Sequence, residues 1–271
     1  MSRRIQHLGM AIALALVLVG GAWLFRSTST GSATAPSPIT PSATAESTSS
    51  PSASAPSSSP SSSPSATPVA SPTGPHGPGS TVAFIGDSLT AGNGASTPAK
   101  RWTTVLAVDH QWREVNVGHP QSGYVVGGSS GDCTLATCPP FPDVVGQVVP
   151  ANPALVIIAG GSNDLGQDLG TVGQSVTRTV TSLREALPQA TVVVLAPWWD
   201  MRPEQPGFAE LSTTIKDAAT AAGATWIDTG QPLKGHGELF GQDGYSPNDE
   251  GHATLARTVG AGLIQAGVTT S

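Results

Sequence analysis

Residues 81–271 predict a single α/β domain, a three-layer fold in which a five-stranded parallel sheet is covered by helices on both faces. Three observations carry this. Short β-rich runs recur, and they are apolar throughout rather than alternating, which marks strands buried on both faces. Helical patterns separate those runs, as crossovers between parallel strands require. The stretch is also long enough, at roughly 190 residues, to close one sizeable core.

The elements follow in order. Thr81–Ile85 is a short buried strand ending at Gly86, and Lys100–His110 reads as a helix. Glu114–Val117 is a second strand, followed by a long Gly/Pro-rich loop and a short helical piece over Val144–Val149. Ala154–Ala159 is a strongly apolar third strand, and Val172–Leu187 an amphipathic helix closed by Pro188. Thr191–Ala196 is the fourth strand, stopped by Pro197. Phe208–Ala222 is a helix with Gly223 behind it as its C-terminal stop, and Thr225–Ile227 is the fifth strand. Asn248 can cap a last helix running to about Gln265. This rhythm fits a flavodoxin-like sheet of order 2-1-3-4-5, whose ligand site lies at the carboxyl ends of the strands. The loops after Ile85, Val117, Ala159, Ala196 and Ile227 are therefore where function is expected.

What precedes the domain is of a different kind. Arg3 and Arg4 are followed by an uncharged apolar run from Leu8 to Phe25. Its length of about 18 residues suffices for a membrane-spanning helix, and the basic residues before it place the N-terminus in the cytoplasm. Residues 1–26 thus read as a signal-anchor, or as a signal peptide if they are cleaved. Residues 27–80 are almost wholly Ser, Pro, Thr, Ala and Gly, with Glu46 and His76 as exceptions. Such a segment cannot bury enough apolar surface to offset its ordering entropy, so a disordered, Pro-stiffened linker is expected. The domain beyond it would be extracytoplasmic, anchored to the membrane through the N-terminal helix or secreted.

Charge excludes some partners. From Ser80 onward there are nine Lys and Arg against seventeen Asp and Glu, a net of −8. An acidic domain without a basic cluster argues against nucleic acid and against docking on anionic lipid. Cys133 and Cys138, the only cysteines, lie close together in a Pro-flanked loop. In an exported protein they read as a disulfide rather than a zinc site, since no His or further Cys stands at ligand spacing. The acidic turn Gly241–Gly244 does not match a calcium loop. No metal or cofactor is expected, and the domain is expected to act as a monomer.

Three loops carry residue types suited to acyl transfer. After the first strand comes Gly86-Asp87-Ser88-Leu89-Thr90, which can set a hydroxyl nucleophile at the top of the sheet or simply form a turn and helix cap. After the third strand comes Gly160-Gly161-Ser162-Asn163-Asp164, where the Asn amide can donate to a developing oxyanion. After the second comes Asn116-Val117-Gly118-His119-Pro120-Gln121-Ser122-Gly123, with backbone N–H groups to offer from Gly118 or Gly123.

These blocks resemble the SGNH (GDSL) hydrolase family, and the resemblance runs from Thr81 to about Ala261. It implies an ester hydrolase with Ser88 as nucleophile and an oxyanion hole made by the Ser88 N–H, the Gly123 N–H and the Asn163 side chain. The family's last block, Asp-x-x-His before the final helix, aligns with Asp243-Gly244-Tyr245-Ser246, so Asp243 matches the acid and Ser246 stands at the position of the base. A second Asp-x-x-His, Asp249-Glu250-Gly251-His252, lies downstream. Three readings follow. His252 serves Ser88, oriented by Asp249 or Asp243; or His119 or His236 supplies the base; or the site has lost its base and the domain binds or scaffolds in the cell envelope. His110 reads as structural. Trp198 and Trp199 either line an acyl or sugar pocket or cover the sheet edge. Substrates would be small-molecule, glycan or lipid esters.

Overall fold

The computed structural model of the chain describes residues 76–128, 138–199 and 202–270. The expected N-terminal helix and most of the linker, the pairing of Cys133 with Cys138, and residues 200 and 201 lie outside the described residues. Among the described residues, no helix is long and apolar enough to cross a membrane.

Five parallel strands form one sheet in the expected order, β2-β1-β3-β4-β5. They are β1 (Thr81–Gly86), β2 (Arg113–Gly118), β3 (Leu155–Ala159), β4 (Thr191–Leu195) and β5 (Thr225–Ile227). Interior strand β1 pairs Phe84 with Asn116 on one side and with Ile157 on the other. All five residues of β3 are buried. Side chains alternate between two cores, as the pleat dictates. Ala83, Ile85, Val156, Ile158 and Val194 face one layer, made by α3 (Phe141–Val148), α4 (Leu169–Ala186) and α5 (Phe208–Ala221). Val82, Phe84, Leu155, Ile157 and Leu195 face the other, made by α2 (Trp102–Asp109) and α6 (Asp249–Gln265). A one-turn helix, α1 (Ser88–Ala91), follows β1.

Helix starts depart from expectation for local reasons. The first long helix begins at Trp102 because Pro98–Lys100 forms a separate 3-10 turn. α4 begins at Leu169, a turn before its apolar periodicity, because the Asp168 carboxylate accepts the Thr171 N–H at 2.8 Å and caps it. At α6 the expected cap is present: Asn248 Oδ1 accepts from Glu250 N and Gly251 N.

Ordered structure also begins before residue 81. His76 is buried, its N–H donates to the Val268 carbonyl at 2.9 Å, and its ring Nε2 lies 2.9 Å from Thr191 Oγ1. Its carbonyl accepts from Trp112 Nε1 and Thr269 Oγ1. The end of the Ser/Pro-rich segment is thus bound beside the first residue of β4, at the end of the sheet opposite the carboxyl ends of the strands.

Candidate active site

A pocket of about 390 Å³ opens where the loops after β1, β2, β3 and β4 meet the segment before α6. Ser88 lies in its wall as the first residue of α1. Gly86 permits the tight exit from β1, since a Cβ there would overlap the Ala159 carbonyl and Thr90 Oγ1. Asp87 then caps the turn, its Oδ1 accepting the Leu89 N–H at 3.0 Å, and the Thr90 hydroxyl ties the turn to the end of β3 through the Ala159 carbonyl.

The second loop brings an unforeseen donor. The Gln121 N–H donates to Ser88 Oγ at 2.9 Å. Gln121 is the third residue of a β-turn closed by Ser122 N to His119 O at 3.2 Å, with Pro120 second and a Gln121 φ of 60°. Proline followed by a left-handed residue marks a type II turn, in which the third position usually belongs to glycine. The sequence signal was the Pro120-Gln121 pair, hidden because no glycine announced the turn. Gly123, the expected donor, is corrected by the structure. Its N–H donates inward to the Val126 carbonyl at 2.8 Å and is not offered to the pocket. Its smallness serves packing, because a Cβ there would run into the Asp164 carboxylate.

The third loop turns sharply at Gly160 and Gly161, with φ of 147° and 111°, into the 3-10 turn Ser162–Asp164. Asn163 lines the pocket, and one of its two amide hydrogens goes to the Ser122 carbonyl at 2.9 Å. Beside it, buried Asp164 accepts N–H groups from Tyr124 at 2.6 Å, Val125 at 2.9 Å and Val126 at 3.0 Å. These two neighbours hold the second loop on both sides of Gly123. Asn116 acts at the root of that loop, donating to the Thr90 carbonyl and Thr103 Oγ1 and accepting the Gly118 N–H.

Two buried carboxyl groups lie under the site. Burial pushes Asp87 up to about 7 against the pull of its backbone N–H partners, with the negative charge of Asp164 adding to the rise. Burial likewise raises Asp164, opposed by the three N–H groups it accepts.

The segment before α6 supplies Asp243, Tyr245 and Ser246 to the pocket. Asp243 Oδ1 accepts the N–H groups of Tyr245 and Ser246, each at 3.0 Å, and these bonds hold the carboxyl below its ordinary range. Ser246 is held by the strand-exit segment of Ser88. Asn93 N donates to the Ser88 carbonyl at 2.9 Å, and the next residue, Gly94, sits so close to Ser246 and Pro247 that a Cβ would overlap both.

No histidine among the described residues lines the pocket. His252 is fully buried in the first turn of α6. Its Nδ1 accepts the Trp102 N–H at 3.2 Å, so its Nε2 carries the hydrogen and donates to the Asn93 carbonyl at 3.0 Å. With both nitrogens bound to backbone, the ring is a packing element behind the pocket wall, which corrects its expected role as base. Asp249 is corrected with it: its carboxylate accepts the N–H and hydroxyl of Ser96, each at 2.7 Å, and does not orient an imidazole. His236 pairs with Glu238 on the surface at 2.9 Å. His119 hydrogen-bonds Gln147 and stands outside the pocket lining.

Trp198 and Trp199 both line the pocket. Trp198 is also buried edge-on against Trp102, its Nε1 donating to Thr229 Oγ1 at 2.8 Å, so it covers the sheet end as well. Sequence reasoning missed Arg202, whose guanidinium lies 5.4 Å over the Trp199 ring and 5.0 Å over the Tyr245 ring, joining two walls of the site.

The chain is similar to known proteins in sequence and in fold. Residues 84–254 match the model of the GDSL-like Lipase/Acylhydrolase family. The chain is 30% identical over 189 residues to the "GDSL lipase Rv0518" of Mycobacterium tuberculosis, covering 65% of this chain and 78% of that one. Among solved structures, a carbohydrate acetylesterase family member from Sinorhizobium meliloti aligns with TM-score 0.53 and 15% identity, over 69% of this chain and 98% of that one. A family two carbohydrate esterase from Cellvibrio japonicus aligns with TM-score 0.53 and 18% identity, over 71% and 63%. At such identities these two structures speak to the fold alone. The family match, the relative and the Ser88 loop at the carboxyl end of the sheet together place the chain in the GDSL-like lipase/acylhydrolase family, as a hydrolase acting on ester bonds.

Proposed function

We propose that the chain is an extracytoplasmic serine esterase of acyl- or acetylesterase type, acting as a monomer, with Ser88 as nucleophile. The observation that carries the reading is the Gln121 N–H, which donates to Ser88 Oγ at 2.9 Å and so stands beside the place where a carbonyl oxygen would turn anionic during attack. Beside it Asn163 can donate its second amide hydrogen. Donors already fixed in place stabilise a developing oxyanion without reorganising, and losing one commonly costs two to three orders of magnitude. Trp198, Trp199 and Tyr245 give the pocket apolar faces suited to an acyl chain or a sugar ring. The names of the structural neighbours make carbohydrate acetyl esters the first substrates to try. Export is supported by the apolar run from Leu8 to Phe25 ahead of the Ser/Pro-rich segment.

The test is hydrolysis of p-nitrophenyl acetate and butyrate by the full-length chain beside Ser88→Ala. Turnover that disappears in Ser88→Ala upholds the reading. A second reading, an envelope-binding domain that has kept the fold, is favoured by Ser246 and by the engaged nitrogens of His252. Equal, background-level rates for both proteins with every ester, with and without added imidazole, would replace the first reading by the second.

A further inference from the structure

We infer that Asp243 and Ser246 form a subsite for a neutral nitrogen base of the imidazole or amine class, brought by the substrate or by solution, which takes the proton of Ser88. The inference rests on the serine-esterase reading above. A serine hydroxyl attacks an ester only when a base removes its proton. The described part of the pocket offers Asp87, Asp243, Tyr245 and Arg202 as its ionisable side chains. Arg202 is a cation, and Tyr245 presents a phenolic O–H. Asp243 is held below its ordinary range by the Ser246 and Tyr245 N–H groups and by the Ser246 hydroxyl, and so is a weak base. Asp87 is the stronger base, but its Oδ1 is engaged in capping the helix that Ser88 begins.

Among the described residues, what remains is an acid without its base. Asp243 is ionised and fixed in direction by the Tyr245 and Ser246 N–H groups. Ser246 is held against Gly94, one residue beyond the Asn93 that bonds the Ser88 carbonyl. A serine side chain at 246 is small, and the pocket it shares with Ser88 measures about 390 Å³, ample for a five-membered ring. A base there would have the Asp243 carboxylate on one side to stabilise its cation. Its lone pair takes the Ser88 proton as Oγ bonds to the acyl carbon. The conjugate acid returns that proton to the leaving alkoxide when the C–O bond breaks. The base then takes a proton from water as hydroxide attacks the acyl-enzyme, and gives it back to Ser88 Oγ as the acid product departs.

The experiment follows hydrolysis of glyceryl triacetate by the unmodified full-length chain against imidazole concentration, with the Ser88→Ala rate subtracted at each point. The expected result is a saturable rise of about tenfold or more, weakened in Asp243→Asn and replaced in Ser246→His by activity independent of imidazole. A paired arm compares, without imidazole, an ester carrying an imidazole with its phenyl counterpart. Preference for the former places the base on the substrate, and saturation with free imidazole alone places its source in solution. Ser88-dependent turnover that ignores imidazole and prefers neither ester overturns the inference and leaves the esterase standing. So does turnover rising with an ionisation near 7 and abolished in Asp87→Asn. A chain inert under every condition, as chain and as Ser246→His, overturns both.

Discussion

The Asp164 carboxylate accepts the Tyr124 N–H at 2.6 Å, and this bond binds the loop after β3 to the loop after β2. Asp164 and its neighbour Asn163 close on opposite sides of Gly123. Gly123→Ala should therefore act through packing. The added methyl meets a buried carboxylate already committed to three N–H groups, and overpacking of this kind costs about 1–3 kcal/mol. Chemical denaturation should show that loss. A Gly123→Ala protein of unchanged stability but without activity would return Gly123 to the oxyanion hole and remove Gln121 from it.

Gln121 sits at a φ of 60°, a region that non-glycine residues occupy at a cost of about 1 kcal/mol or more. Gln121→Gly removes that strain and keeps the N–H that meets Ser88 Oγ. Stability should rise by up to about 1 kcal/mol, partly offset by the greater freedom of glycine in the unfolded chain. Ser88-dependent activity should persist. If Gln121→Gly falls to the Ser88→Ala level, it is the Gln121 side chain that matters, and the backbone assignment fails.

The strands and their order were legible because burial on both faces leaves continuous apolar runs such as Leu155-Val156-Ile157-Ile158. The places of Ser88 and Asn163 in the pocket wall were legible for a related reason: each lies within a few residues of a strand's carboxyl end, so its place in the sequence fixes its place at the sheet end. Gln121 was not, because its role depends on a dihedral angle that Pro120 favours but residue type does not declare. His252 misled because the Asp-x-x-His spacing says nothing of the side to which a ring points. The Trp102 and Asn93 partners that hold it come from about 150 residues away in sequence. Arg202 joins Trp199 to Tyr245 across two loops, and such pairings have no local signature.

Burial of Asp87 gives the fold a pH dependence whose sign is opposite to that of a salt-bridged acid. Its folded value of about 7 lies above the ordinary 3.8, so the folded chain binds the extra proton between those limits. Stability from this group is present below about pH 4 and is lost as pH rises toward 7. Asp87→Asn keeps an oxygen for the Leu89 N–H and has nothing to ionise. Its stability should exceed that of the parent at pH 8, by at most about 4 kcal/mol for a shift of this size, and the two should converge near pH 4. A parent whose denaturation midpoint climbs between pH 4 and 7 relative to Asp87→Asn would show that Asp87 is charged in the fold throughout.

His252 provides the sharpest separation of structure from chemistry. Its ring is fully buried, with both nitrogens bound to backbone groups, of Asn93 just after α1 and of Trp102 at the start of α2. His252→Ala removes two hydrogen bonds and leaves a cavity, which together should cost about 2–4 kcal/mol. Burial holds the imidazole below its ordinary value, so the unfolded chain binds the proton more readily. The contribution of His252 is therefore full above the ordinary value of 6.5 and declines as pH falls below it, and His252→Ala should lose that decline. Because the ring lies behind the pocket wall, Ser88-dependent turnover per folded molecule should stay within a few-fold of the parent. A His252→Ala protein that keeps its stability and loses turnover by the hundredfold or more expected of a missing base would make His252 the base after all. The segment from Asn93 to Trp102 would then have to open during the reaction.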